Sequence, residues 1–369
     1  MARIKSYHIR DFDWISFALT LILVGIGLVA VYSATYRVEQ PYSPFFYKQL
    51  FGCISGLFIY FIFVLTDYRS LLRWGYWAYF VIIGLLIFTL AKGHIGMGGQ
   101  RWINLGIIKV QPSELTKLCF PAFFGYYLYT HHERKLTFND FIPIFILLGI
   151  SFLLILKQPD LGTALILVFA TLSMLWIAGV DKQFFICGFL ACAIATPVLW
   201  NCLKPYQQQR ILVFFGYGSL HKERYQIEQS KIAIGSGGMT GKGFLNGTQN
   251  QLFFLPESRT DFIFAVIAEE VGFCGVLIII LLYLLLFSRL FAMIATIKHM
   301  AIQVLAMGLL MHIVFSAMIN ICMVTDLLPI VGIPLPLISY GVSNLWITLA
   351  SLGWLNGISM RRFYIDMHI

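Results

Sequence analysis

The string FLPESRTDFIF, residues 254–264, leads from a hydrophilic stretch straight into an apolar run, which puts Asp261 at the boundary between two solvents. Low dielectric disfavours a charged carboxylate, so a group placed there has its pKa raised toward the range where a general base works at neutral pH. Glu257 and Arg259 flank it. The competing reading is structural, because Thr260 or Asp261 would serve as the N-cap of a following helix. The polar string is denser than a cap requires, which favours a functional role for Asp261 over a purely structural one.

Other side chains with chemical potential are scattered along apolar segments, where ionisable groups are costly and point to function. Glu114 and Lys117 lie three apart, on one helical face, so they can pair while facing a cavity. Gln111, Ser113 and Thr116 add to the polarity of that run. Glu269 and Glu270 follow Asp261 at about two helical turns, only partly aligned with it. Asp160 in QPDLGT begins another run, and both a cap and a functional role remain open for it. Arg101 and Trp102 mark a short basic and aromatic connection. The run GSGGMTGKG, residues 235–243, resembles a phosphate loop but has Ser236 where such a loop needs glycine and Gly243 where it needs Ser or Thr. A nucleotide site is therefore excluded. Two readings stay open there: an adaptable outward loop whose Lys242 meets a lipid pyrophosphate, or a plain flexible turn. The seven cysteines and eight histidines show no metal-ligand spacing, and the adjacent His131 and His132 sit in a polar break.

These residues must be positioned by helices in a membrane. Of 369 residues, 59% are hydrophobic and 12% charged, with a mean hydropathy of +0.81, well beyond soluble proteins. Apolar runs fall near 13–34, 47–66, 72–91, 113–130, 140–156, 162–179, 183–202, 262–288, 300–324 and 341–360. At roughly 20 residues per span these predict an all-α integral membrane protein of about ten transmembrane helices in a single polytopic domain. The expected divisions are a tail 1–12, helices 1–7 over 13–202, a long loop 203–261, helices 8–10 over 262–360, and a tail 361–369. The net charge of +9 raises nucleic acid as a partner, but no basic stripe with interleaved aromatics exists. Lysine and arginine instead follow membrane topology: with both termini cytoplasmic, the cytoplasmic segments hold twelve and the opposite short segments six. The long loop then faces outward and carries seven basic against four acidic residues, which suits an anionic ligand at the membrane surface, and non-specific attraction to anionic lipid explains the same excess. The segment DLLPIVGIPLPLISYG, residues 326–341, holds Pro329, Pro334 and Pro336 and cannot be a continuous helix. Irregular backbone at membrane depth must line protein or a cavity, so this piece is expected beside the loop.

The ordered motifs QRWINLG (100–106), QPSELTK (111–117), QPDLGT (158–163), QSKIAIGSGGMTGKG (229–243), FLPESRTDFIFAVIAEEVG (254–272) and GIPLPLISYG (332–341) resemble the SEDS family of shape, elongation, division and sporulation proteins. The resemblance covers the chain nearly end to end. It implies a peptidoglycan glycosyltransferase that polymerises lipid II on the outer side of a bacterial cytoplasmic membrane, with a class B penicillin-binding protein as partner. It further implies that Asp261 is catalytic and that Arg101, Glu114 and Lys117 line the substrate cavity. Asp261 would deprotonate the acceptor 4-hydroxyl, and undecaprenyl pyrophosphate would leave. Arg101, Lys48, Lys242 or Arg259 would neutralise the departing charge, with Glu257 and Asp160 near the substrate. No cofactor is evident, and a divalent cation, Mg or Mn, at the pyrophosphate is compatible with this chemistry. Short length and compact tails resemble the elongation members of the family more than the division members. A lipid II flippase is the rival reading, since the buried Glu114, Lys117 and Glu269 would equally line a transport path. Three positions depart from the family pattern: Arg259 stands where histidine is usual, and Asp326 and Val342 where glycine is usual.

Overall fold

The computed structural model describes residues 11–96, 99–104, 109–131, 138–203, 205–217 and 221–361. The expected tails and the polar break at 132–135 lie almost wholly outside them. A helix occupies each of the ten expected apolar runs. These are α1 (Trp14–Thr35), α2 (Pro44–Leu65), α3 (Tyr68–Lys92), α4 (Pro112–Thr130), α5 (Ile142–Lys157), α6 (Leu161–Ile177) and α7 (Lys182–Cys202), followed after the insertion by α11 (Ile263–Ala295), α12 (Met300–Val324) and α13 (Val342–Arg361). Their starts are encoded by short polar residues. Asp13, Ser43, Asp67, Asp160 and Asp181 each accept a backbone N–H of the first turn, satisfying donors that a helix leaves unpaired.

Among the described residues six helices are long and apolar enough to cross a membrane, including α1, α2, α3, α11 and α12. Helices α4 and α13 fall short on hydropathy for a physical reason. They are buried among other helices, α13 almost residue after residue from Leu345, so polar side chains there face protein and not lipid. α13 packs on α2 through paired small residues four apart, Gly52 and Gly56 on one helix and Gly353 and Gly357 on the other. A Cβ at Gly353 would collide with the Tyr60 carbonyl, and one at Gly357 would stand 3.0 Å from the Val64 carbonyl. Close backbone approach of this kind drives helix association where lipid removes the hydrophobic driving force. At one end of the bundle Arg289 of α11 donates to both carboxylate oxygens of Asp13 (2.7 and 2.9 Å). Asn356 donates to the Asp13 carbonyl (3.3 Å) and to the Tyr60 hydroxyl (2.8 Å), so four helices are tied together.

Two expectations need correction. The fold is not purely helical: between α3 and α4 the chain forms an antiparallel sheet of β1 (His94–Gly96), β2 (Gly99–Asn104) and β3 (Lys109–Val110). The insertion 203–261 is also no simple loop, since it contains α8 (Pro205–Phe214), α9 (His221–Gly237) and α10 (Thr248–Gln251).

The glycine run is not a plain flexible turn. α11 is broken at Gly272, whose φ of +65° interrupts the helix. Residues 238–243 fill the break: the amides of Lys242 and Gly243 donate to the carbonyls of Glu269 and Glu270 (both 3.0 Å), and the carbonyls of Gly238 and Met239 accept from Phe273 (2.9 Å) and Cys274 (3.1 Å). A broken helix at membrane depth is tolerated when protein satisfies the freed backbone groups, and this run does so. Gly241 has a φ of +80° and would drive a Cβ into the Glu270 backbone, so the approach requires glycine there.

Candidate active site

The main chain leading to Asp261 is fixed from several sides. The Tyr340 amide donates to the Arg259 carbonyl (2.9 Å), and the Ser339 hydroxyl donates to the Thr260 carbonyl (2.6 Å). Asn320 of α12 donates to the carbonyls of Asp261 (2.8 Å) and Ile333 (2.7 Å), coupling the proline-rich segment to the catalytic candidate. Gln49 of α2 closes the frame by donating to the Ser339 carbonyl (3.3 Å) and accepting from the Gly341 amide (3.2 Å). The prolines thus keep 326–341 irregular, and its backbone groups find partners in the Asp261 segment.

The carboxylate itself is left without a hydrogen-bond donor among the described residues. Asp261 does not cap α11: the N-cap is Phe262, which makes no side-chain cap bond. Thr260 turns its hydroxyl back to Glu257, bonding its carboxylate at 3.2 Å. Gly332, at a φ of +71°, brings its backbone against the carboxylate, and a Cβ there would stand 3.5 Å from Asp261 Oδ2. The side chain is half-buried. Burial, and secondarily the charge of Glu257, push its pKa up to about 7, while Arg210 and Arg101 pull it back and Asp160 adds a smaller upward push. These five charged groups therefore share one electrostatic neighbourhood.

Arg210 was visible in the sequence only as one of seven basic residues in the insertion. α8 carries it to the site, where it donates to the Ile330 carbonyl (3.1 Å). Asn320, Gln49 and Gly332 also went unremarked, because a lone amide in an apolar run or a glycine between prolines has no distinctive spacing.

Of the expected residues, Glu257 and Arg259 lie in the same segment as Asp261. Arg101 reaches across from β2 and donates from Nε to the Gln158 carbonyl (2.7 Å) and from Nη2 to the Pro159 carbonyl. It braces the turn that presents Asp160. Asp160 is a cap, accepting from the Thr163 amide (3.2 Å), and its other oxygen accepts from Gln111 (2.7 Å) and Ser113 (3.2 Å). Glu114 and Lys117 form a buried pair in which the ammonium lies 2.7 Å from both carboxylate oxygens, and Asn344 of α13 donates to Oε2 (3.0 Å). Lys48 is exposed on α2, beside the buried Gln49. Lys242 is held elsewhere: its ammonium pairs with fully buried Glu269 at 2.6 Å, and the same carboxylate accepts from Thr248 (3.0 Å) and from the Gln249 amide (3.1 Å). Glu269 thereby anchors the glycine run to α11. Of the departures, Asp326 adopts a φ of +61°, where glycine is the natural occupant, and its carboxylate pairs with Lys231 of α9. Val342 is the first residue of α13, where helical geometry needs no glycine, and its side chain packs over Gly52. Among the described residues no three His, Cys, Asp or Glu side chains converge to hold a metal.

A multi-pass membrane protein with a half-buried carboxylate of raised pKa, set among arginines at the end of a broken helix, is the class this geometry defines. The family model described as cell cycle protein, FtsW/RodA/SpoVE, matches residues 13–364, and the chain belongs to that family. It is 38% identical over 353 residues to peptidoglycan glycosyltransferase MrdB of Escherichia coli K12, with 93% of each chain covered. With a probable peptidoglycan glycosyltransferase FtsW of Trichlorobacter lovleyi the identity is 34% over 372 residues, covering 96% of this chain and 95% of the relative. Among solved structures, a chain of a peptidoglycan synthase complex in which polymerization and crosslinking are coordinated superposes with a TM-score of 0.80 at 28% identity, covering 96% of this chain and 99% of that one.

Proposed function

We propose that this protein is a peptidoglycan glycosyltransferase that polymerises lipid II into glycan strands on the outer side of a bacterial cytoplasmic membrane, with Asp261 as general base. The observation that carries this is a carboxylate with pinned main chain, no donor of its own and a pKa of about 7. Such a group accepts a proton near neutral pH without first breaking a bond. Asp261 takes the proton from the acceptor 4-hydroxyl as that oxygen attacks the anomeric carbon of the lipid-linked donor. The donor's bond to pyrophosphate breaks, and undecaprenyl pyrophosphate carries the electron pair away. Arg101 and Arg210 supply fixed positive charge beside the carboxylate, where charge on the leaving group develops. Glu114 and Lys117 are already neutralised by each other, so we assign them to cavity shape. A Mg or Mn ion, where used, would enter on the pyrophosphate oxygens.

The ten helices are read as ten spans with both termini cytoplasmic, supported by the excess of lysine and arginine on that side. The higher identity with MrdB than with the FtsW relative supports an elongation role over a division role. The likeness to a synthase complex supports a class B penicillin-binding protein as partner. Purified protein with that partner and lipid II in detergent should yield glycan chains, and since detergent removes any need for flipping, chains made there speak for an enzyme. Asp261→Asn should slow polymerisation about a hundredfold to ten-thousandfold while leaving the protein folded. Polymerisation by that variant at the normal rate would overturn the assignment.

A further inference from the structure

A cleft of about 350 Å³ opens on the outward face beside the Asp261 segment, and the transfer step described above does not use it. One wall comes from the connection between α1 and α2, with Tyr36, Arg37 and Phe45. The other comes from the end of the insertion, with Phe253, Glu257 and Arg259. The Arg37 guanidinium lies 4.9 Å over the Phe253 ring and that of Arg259 lies 3.9 Å over the Phe45 ring. Among the described residues neither arginine forms an ion pair. Phe253 is 67% exposed and has a φ of +59°, so the backbone adopts a disfavoured conformation to hold a ring out in water. The Phe45 ring packs edge-on against Tyr340, at 5.5 Å, whose amide holds the Arg259 carbonyl. The cleft is thus mechanically continuous with the segment that carries Asp261.

Its chemistry favours sugar. Phe253, exposed although Arg37 stacks over it, offers an apolar ring surface to the C–H side of a pyranose ring, while the stacked guanidinium groups and the Glu257 carboxylate match hydroxyls, and the arginines can also pair acidic substituents. Most of its lining lies beyond the helix ends, outside the apolar layer in which an isoprenoid chain is held. We propose that this cleft is a saccharide subsite that holds sugar units of the growing glycan beyond the one reacting at Asp261, and so sets how many transfers occur before the strand is released. The proposal rests on the polymerase reading given above.

The test uses the full chain with its transpeptidase partner and lipid II in detergent, comparing wild type with Arg37→Ala, Phe253→Ala and the double variant. Both side chains are exposed, so melting temperatures should not change. The expected result is glycan strands several-fold shorter at equal lipid II consumption, with the initial rate of consumption unchanged. Strands of normal length would overturn the proposal. So would a raised KM for lipid II with length unchanged, because the cleft would then serve the incoming unit. A second measurement stands apart from catalysis: saturation-transfer NMR with a soluble, lipid-free peptidoglycan oligosaccharide should show contact with wild type that Phe253→Ala loses. If wild type made no glycan, the polymerase reading would fall, while the NMR comparison would still decide whether the cleft binds sugar. Equal NMR contact in wild type and Phe253→Ala would overturn the subsite.

Discussion

The raised pKa of Asp261 makes the pH profile of polymerisation a direct readout of the base. With a pKa of about 7, the ionised fraction is about one-tenth at pH 6 and about nine-tenths at pH 8, so the single-turnover rate should rise about tenfold across that window. A carboxylate at its ordinary pKa of 3.8 would already be fully ionised there and would give a flat profile. Glu257 contributes to the upward shift, so Glu257→Gln should move the midpoint to lower pH and raise the relative rate at pH 6. The same shift bears on stability. Because the folded pKa lies above the unfolded one, the native state holds the proton more tightly, and ionisation costs stability that is absent below about pH 4 and complete above about pH 7. The full shift corresponds to an upper bound of about 4 kcal/mol, reduced to about 2 kcal/mol for a carboxylate that retains a solvent face. Asp261→Asn should therefore melt at higher temperature than wild type at pH 8, with the gap closing toward pH 5, while polymerising at least about a hundredfold more slowly. The assays are glycan formation from lipid II with the partner present and thermal unfolding in the same detergent. A flat rate between pH 6 and 8, or a Glu257→Gln midpoint displaced upward, would refute the reasoning.

The broken helix predicts opposite outcomes for two glycines in one motif. Gly241→Ala should cost about 3 kcal/mol or more, from a φ of +80° and a collision with the Glu270 backbone, whereas Gly235→Ala, at a helical position with nothing within 4 Å, should be neutral or stabilising by about 0.5–1 kcal/mol. Thermal melting of the two variants decides it. Glu269→Ala should destabilise by about 1–3 kcal/mol through the lost anchoring of Lys242, Thr248 and the Gln249 amide. Lys242→Met should leave the KM for lipid II unchanged, since Lys242 is spent on Glu269. Gly332→Ala should cost about 1–2 kcal/mol from its φ of +71°, less than Gly241→Ala, because its added methyl would meet only Asp261 Oδ2 at an ordinary contact distance of 3.5 Å.

The helices and the position of Asp261 were legible because both are local. Apolar runs of span length and the Asp or Ser before them report helix starts directly, and the abrupt passage from ESRTD to FIF marks a solvent boundary. Long-range pairing was opaque. Nothing in GSGGMTGKG announces that its amides close a gap in a helix thirty residues on, because the partners are backbone groups with no sequence signature. Arg210 and Asn320 reach Asp261 only through the placement of α8 and α12. Lys242 was read as a substrate ligand because its charge was visible and its partner, Glu269 in an apolar run, was not recognisably near it.

The seating of residues 238–243 in the gap of α11 also governs how the protein can be rebuilt. The two segments complement each other atom for atom, since one supplies what the other lacks at four backbone positions. A chimera that exchanges the insertion with a relative but keeps its own α11 would present two half-fitting surfaces. Residues 237–274 should therefore transfer between relatives as one cassette, and grafts that divide them should fail to accumulate in the membrane even when every side chain around Asp261 is preserved.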